Sequence, residues 1–430
     1  MKLRKLHRDK APAFKQLKSL SLHAPERFLA DNGIPIFLFP LYDQEITKID
    51  FIIKAGEYAS DFSLTALTTL AMLQEGSTTM ASEQIAERLD FLGSYISFHT
   101  TKDRSLISVC CLEKHLAETI KIVTDFIIHP TFPEDKLETS LLKRKERFKV
   151  DNERVEVLSQ KKLAQALFGE KHPYGRTIQL DDFEHITRDD LIRFHNQNYI
   201  AENTSIVICG NPKSQEIKNL ISFLQHNEFN TLNNKIQPVE YDIFSDIQKK
   251  HWITKENAVQ SSLNLGKIMV NRSHPDFIPL QVLNTILGGY FGSRLMTNIR
   301  EDKGYTYGIG SGIISMEHAG YFIITSRVGK DVAQKALDAI SDELRRLRTE
   351  MVQQDELDMV KAYMQSTLVR NFDGAFATSE MFRNTLGYDI DFVGYYQHIW
   401  SKIRKITAKE LLELSNKYLH EDSMYEIVVG

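Results

Sequence analysis

Apolar residues crowd two early runs, IPIFLFP (34–40) and ITKIDFIIKAG (46–56), in partial alternation with polar ones, which predicts two strands. From Ser63 to Glu75 the period changes. Leu64, Leu67, Leu70 and Leu73 recur every three residues, the spacing of one helical face. Ser82 is placed to cap the next helix, EQIAERLDFLG, and Gly93 to end it. SYISFHT and SLISVCCL read as a strand pair. LEKHLAETIKIVTDFII is an amphipathic helix stopped at His129-Pro130, and Asp135 to roughly Leu167 is a long, charged helical region without Gly or Pro.

The two ends of this pattern match each other. ITRDDLIRFHNQNYIAENTSIVICG (Ile186–Gly210) and ITAKELLELSNKYLHEDSMYEIVVG (Ile406–Gly430) align without a gap at an offset of 220 residues. Ile186/Ile406, Thr187/Thr407, Leu191/Leu411, Asn196/Asn416 and Gly210/Gly430 are identical, and Asp190/Glu410 match in charge. Each copy predicts a Thr-capped helix leading into a strand. The openings also agree, since DFSLTALTTLAML and DFIPLQVLNTIL both set a helix behind an Asp-Phe pair. A duplicated chain follows, with an N-terminal extension (1–30), an N-terminal half (31–224), an Asn/Gln-rich linker (225–238) and a C-terminal half (239–430). A length of 430 residues is also more than one hydrophobic core usually spans. Strands and helices alternate without strict βαβ repetition, so the expected class is α+β. Each of two homologous halves would be a mixed or antiparallel sheet covered by helices.

Composition removes several functions. Hydrophobic residues at 42 % and charged ones at 26 % are ordinary for a soluble globular chain. A net charge of −4 offers no basic footprint for nucleic acid. No apolar run approaches the roughly 18 residues that span a bilayer. The start, MKLRKLHRDKAPAFKQLKSL, is basic but has no apolar signal core, and reads as a plain extension. The three cysteines are odd in number, and Cys110 and Cys111 sit in an apolar run. A disulfide framework is therefore not expected, and a reducing, cytoplasmic and bacterial setting fits better than an organellar matrix.

Chemistry is sparse. No two of the 14 histidines share a zinc-binding helical turn, and His172 and His274 stand at turn-like His-Pro steps. LGGYFGSR (287–294) has glycines but no phosphate-loop lysine, and reads as a tight turn between helices. No Gly-x-Ser-x-Gly elbow occurs. IREDKGYTYG sets Arg300 seven positions before Tyr307, with Gly304 between. Taken alone, this is a helix end: Arg300 caps it or pairs with Glu301 or Asp302, and Gly304 is the C′ glycine. Tyr305 and Tyr307 then fall on the strand YTYGIGSGI, one phenol inward and one outward.

Segments spread over nearly the whole chain carry a family resemblance. GEYAS, EGSTTMASEQIAERLDFLGSYISFHTTKDRSLISV, HPTFPEDKLE, HPYGRTIQLDDFEHITRDDLIRFHNQNY and FGSRLMTNIREDKGYTYGIGSG resemble, in order, the hallmarks of the pitrilysin/insulinase zinc peptidases. The likeness is strongest to short two-half subunits related to mitochondrial processing peptidase. It implies duplicated α+β halves closed like a clam shell around a peptide. It also implies a His-x-x-Glu-His helix, but here Leu67 and Ala71 occupy the histidine positions and Leu70 that of the glutamate. The further Glu ligand would fall near Glu146 or Arg147. Leucine and alanine have no lone pair for zinc and no base for water, so this chain is expected to hold no cofactor. The family's second element, Arg-Glu-x-x-Gly-x-x-Tyr, is matched in full by Arg300, Glu301, Gly304 and Tyr307. The implied roles of Arg300 and Tyr307 are to bind peptide and donate hydrogen bonds to a developing oxyanion. The resemblance thus implies a non-catalytic subunit of a heterodimeric zinc metallopeptidase, with zinc and base in a homologous partner subunit and a peptide as substrate. The alternative is a structural or peptide-binding scaffold subunit with no peptidase role.

Overall fold

A computed structural model describes residues 19–231, 241–388 and 390–430. The first half holds strands β1 (Glu26–Leu29), β2 (Pro35–Pro40), β3 (Ile46–Ile53), β4 (Tyr95–Thr100), β5 (Ser105–Leu112) and β6 (Thr204–Gly210). Its helices are α1 (Thr65–Met72), α2 (Ser82–Phe91), α3 (Leu116–Ile128), α4 (Glu134–Asp151), α5 (Val155–Phe168), α6 (Asp182–His185), α7 (Arg188–Asn198) and α8 (Gln215–Gln225). The second half holds β7 (Lys250–Ile253), β8 (Gln260–Met269), β9 (Thr306–Ser315), β10 (Gly320–Gly329) and β11 (Tyr425–Val429). Its helices are α9 (Phe277–Asn284), α10 (Ala333–Thr349), α11 (Gln354–Arg370), α12 (Gly374–Arg383), α13 (Phe392–Lys405) and α14 (Ala408–Tyr418). The second half of the expected linker, 232–238, lies outside the described residues, as does 1–18 of the expected extension.

The sheet orders are β1-β2-β6-β3-β5-β4 and β7-β11-β8-β10-β9. Without β1 they are the same topology, and each has one parallel pair, β2–β6 and β7–β11. The fold is therefore the expected mixed α+β duplication. The helix-to-strand repeat is built alike in both copies. The Thr187 hydroxyl accepts from the Asp190 N–H at 3.3 Å, and the Asp190 carboxylate takes the Thr187 N–H at 2.9 Å. The Thr407 hydroxyl accepts from the Glu410 N–H at 3.2 Å. The strands that follow, β6 and β11, each sit between one parallel and one antiparallel neighbour.

Three local expectations differ. β1 lies inside the expected extension, because ERFL is short and mostly exposed and shows no apolar alternation. Ser82 is the first residue of α2 rather than its cap. Ala81 caps it, its N–H held by the Gln84 side chain at 3.0 Å, while the Ser82 hydroxyl bonds Glu75 at 2.8 Å. The long charged helix breaks at 152–154, where Arg154 takes extended geometry. The break lets α5 leave its own half.

That departure serves the core. Both faces of each sheet are apolar. Ile49, Phe51, Ile206 and Ile208 face α1, α3, α7 and α8, whereas Ile52, Val207 and Cys209 face Leu368, Phe382, Tyr396 and Trp400 of α11–α13. In the second sheet Val428 faces the helices of its own half, and Ile427 and Val429 face Leu163, Ala166 and Leu167 of α5. Gly266 is required under α5, since a Cβ there would lie 2.8 Å from the Phe322 carbonyl and 3.1 Å from Leu163 Cδ2. Among the described residues no helix is long and apolar enough to cross a membrane.

Two outcomes follow. Leu163→Ala empties a fully packed site and lowers unfolding free energy by about 2–5 kcal/mol, measurable by urea denaturation. Stability also declines on acidification. Burial lowers the pKa of both His172 and His195. His172 Nδ1 accepts the Tyr174 N–H at 3.0 Å, and His195 Nε2 meets the Ile127 carbonyl at 2.8 Å. Both are neutral when folded and take up protons on unfolding. Their contribution is complete above the unfolded imidazole pKa of about 6.5 and is lost as pH falls below it. The melting temperature should therefore drop between pH 7.5 and 5, and His195→Gln should flatten the profile.

Candidate functional site

The Arg300–Tyr307 stretch is made by a helix end, a turn and a bulged strand. A π-helical segment, Met296–Asp302, runs into Gly304 at φ +65°. The Tyr305 N–H closes back on the Ile299 carbonyl at 3.0 Å, one residue wider than the six-to-one bond of a Schellman end, as the π-helical winding before it requires. The C′ role expected for Gly304 is thus observed. The ion pair expected for Arg300 is not: among the described residues no carboxylate lies within 4 Å of it. Its guanidinium instead lies over the ring of Phe291, 4.7 Å from the centroid. Phe291 is 64 % exposed and belongs to the turn Tyr290–Ser293, which the Ser293 N–H closes on the Tyr290 carbonyl at 3.1 Å.

Tyr305 packs against the core of the second half, and Tyr307 is 92 % exposed. Regular alternation does not separate them, because residues two apart share a side. A β-bulge does: Thr306 pairs with Val328 and Ile309 with Ser326, so Tyr307 and Gly308 together oppose Arg327. Two hydroxyls lock the bulge. Thr306 Oγ1 donates to the Arg327 carbonyl at 2.6 Å and accepts the Gly308 N–H at 3.0 Å. Ser326 Oγ donates to the Gly308 carbonyl at 3.0 Å. β9 is also the edge of its sheet, paired among the described strands with β10 alone, although near its middle the Ser311 carbonyl is taken by the Asn284 amide at 3.3 Å. Sequence reasoning found Arg300 and Tyr307 but missed Phe291, Thr306 and Ser326. The small hydroxyl residue wedged between two phenols was the available signal.

Helix α1 carries none of the expected metal chemistry. Leu70 is 2 % exposed within the first core, and Leu67 and Ala71 are half-buried. Glu146 is exposed and pairs with Lys149 at 2.6 Å, and Arg147 is exposed beside Asp151. Among the described residues no group of three or more His, Cys, Asp or Glu could hold a metal ion. No hydrogen bond, ion pair or ring contact among them joins Arg300 or Tyr307 to α1. The free cysteines are not activated either, since burial raises all three thiols, Cys111 and Cys209 to about 11.

Residues 67–179 match the model of the insulinase family (peptidase family M16), and residues 185–364 match that of the peptidase M16 inactive domain. The chain belongs to the M16 peptidase family. It is 25 % identical over 363 residues to the uncharacterized zinc protease YmxG of Bacillus subtilis, spanning 84 % of this chain and 87 % of that protein. It is 21 % identical over 248 residues to YmfF, a probable inactive metalloprotease of the same organism, spanning 57 % of each. The crystal structure of a peptidase M16 inactive domain from Pseudomonas fluorescens is similar at a TM-score of 0.83 and 23 % identity, over 94 % of this chain and 98 % of that one. That likeness shows the fold.

Zinc is the ion the M16 family implies, and the residues here do not fit it. The position of a base, Leu70, lies inside the core, and a downstream ligand position is a cation or a carboxylate already paired to lysine. No step through zinc in this chain follows. The bulged edge, by contrast, keeps the Tyr307 phenol in solvent. Thr306→Val, which removes the acceptor for the Gly308 N–H, is expected to lower stability by about 1–3 kcal/mol and to speed amide exchange at Gly308. Unchanged exchange would show that the backbone ladder alone holds Tyr307 outward.

Proposed function

We propose that this chain is a non-catalytic M16 subunit that pairs with a zinc-bearing homologous subunit and contributes Arg300 and Tyr307 to a shared peptide site. The partner supplies the zinc and the base; this chain supplies hydrogen-bond donors. Amide hydrolysis builds negative charge on the carbonyl oxygen, and a guanidinium and a phenol can both donate to it without a change of protonation. The substrate is a peptide, held in extended form by strand addition at a sheet edge such as β9 or β4. The setting is a reducing cytoplasm, in keeping with three unpaired thiols.

One observation carries this reading. Tyr307 is 92 % exposed and is held outward by a bulge with its own pair of hydroxyl locks. A packing role would bury the ring, whereas here side-chain hydrogen bonds are spent on keeping it out. Arg300 likewise keeps its guanidinium on an exposed aromatic ring rather than on a carboxylate, leaving its N–H fork available.

The chain alone should cleave no peptide. Mixed with an M16 homologue that carries His-x-x-Glu-His, it should restore cleavage, and Arg300→Ala or Tyr307→Phe should then lower kcat by about 10²–10³. Unchanged kcat in both variants would remove the assigned roles. Peptide binding without cleavage by any such mixture would return the scaffold reading.

A further inference from the structure

A second site lies away from Arg300 and Tyr307, neither of which lines it. A cavity of about 390 Å³ opens between α9, α11, α13 and the far end of β9. Phe277, Ile313, Met364, Leu368 and Ile399 make its apolar wall. Gln281, Thr285, Asn371 and Tyr395 add amide and hydroxyl groups. Volume and mixture are those of a site that takes a small ligand or a few residues of a peptide.

The cavity's charge is one-sided. Arg272 lines it, and among the described residues no Asp, Glu, Lys or His does. Arg272 Nη1 donates to the Asn384 carbonyl, and the guanidinium sits 5.5 Å from the Tyr388 ring centroid. Its Nε is buried with no hydrogen-bond partner. Among the described residues no carboxylate reaches ion-pair distance of Arg272. This half-buried cation, set against an aromatic face with a donor unused, has no carboxylate partner among the described residues. Tyr395 is held as a hydrogen-bond donor, since burial pushes its pKa up to about 12.

We infer that this cavity binds the C-terminal residue of a peptide with an apolar side chain, Arg272 holding the terminal carboxylate. Arginine's planar fork suits a carboxylate. The apolar wall accepts the side chain. The amide and hydroxyl groups suit the backbone of the preceding residue, for which a fatty acyl chain would offer no partner.

Titration of the purified full chain by calorimetry tests this with three probes: N-acetyl-Gly-Leu-Phe as free acid, the same peptide as C-terminal amide, and octanoate. The free acid is expected to bind about 10- to 100-fold more tightly than the amide, the span of one charge-assisted contact. Arg272→Gln should erase that preference, and Arg272→Lys should keep part of it. Thr367→Phe, which fills the space, should weaken acid and amide alike by about 10-fold or more at an unchanged melting temperature. If Thr367→Phe melts early, the Arg272 pair decides alone. Equal affinity for acid and amide, no binding of the acid at millimolar concentration, or tighter binding of octanoate than of the peptide would each overturn the assignment.

Discussion

Each sheet of this molecule is apolar on both faces, and each half of the chain makes helices enough for only one of them. A strand such as β6 shows the constraint in a single run: Ile206 and Ile208 point one way, Val207 and Cys209 the other, and all four are buried. The second layer has to come from elsewhere. The first sheet receives α11–α13 from the C-terminal half, and the second receives α5 from the N-terminal half. Exchange in both directions makes the duplicated halves one folding problem. Separated, each would expose a full apolar sheet face, far beyond what a soluble domain tolerates.

The halves also meet at equivalent points of the duplication. The β4–β5 turn brings Asp103 and Arg104, and the β9–β10 turn brings Glu317 and His318. Arg104 Nε pairs with Glu317, and its remaining donors reach the carbonyls of Arg383, at 3.2 Å, and Leu386. The Asp103 carboxylate accepts the Glu317 N–H at 3.1 Å and the Tyr174 hydroxyl, which itself accepts the His318 N–H at 3.2 Å. Arg104 and Glu317 are only 15 % and 12 % exposed, so this cluster is desolvated. Such pairs add little net stability over an apolar contact, but their geometry is exacting. Their contribution is to set where one half sits on the other. That registration fixes the edge strands β4 and β9, one from each half, in a single frame.

Much of this was legible in the residues, and the limits were physical. The repeat stood out because a helix cap uses a side chain with a fixed local role: Thr187 and Thr407 each cap with the third residue that follows, so spacing alone reveals the unit. The helix break at 152–154 was hidden because neither Gly nor Pro marks it. The break exists for α5 to reach the other sheet, a tertiary demand with no local signature. The same holds for α12 and α13. Their apolar stripes announce burial but not the surface that will cover them. At the site, Gly304 was readable from helix-end chemistry, whereas Arg300 stood out only through the family motif, since the ion pair its helix-end position suggested does not form. The outward turn of Tyr307 was not, because a bulge shifts the side-chain period by one and only the pairing register shows it.

The loss of metal chemistry on α1 goes deeper than three changed letters. The helix no longer presents a functional face at the central position: Leu70 is packed among Ala66, Met72 and Leu73 in the first core. A glutamate there would carry an ion into that core without a partner, at a desolvation cost of several kcal/mol. The hydroxyls of Thr65, Thr68 and Thr69 on the same helix are already buried without hydrogen-bond partners, so the local surroundings have few groups left with which to satisfy another polar atom. Downstream, Glu146 is committed to Lys149, and Arg147 places a cation where a ligand would have to stand. Packing at Leu70 and the charge pairs at Glu146 and Arg147 therefore oppose zinc at the base position and at the downstream ligand position. In the second half, by contrast, hydrogen bonds are arranged to hold a phenol in solvent, against the ordinary tendency of a large ring to bury itself. One half has turned its polar positions into core while the other holds an aromatic ring out of it. That opposition between two copies of a single fold is the physical ground for reading this chain as half of a shared site.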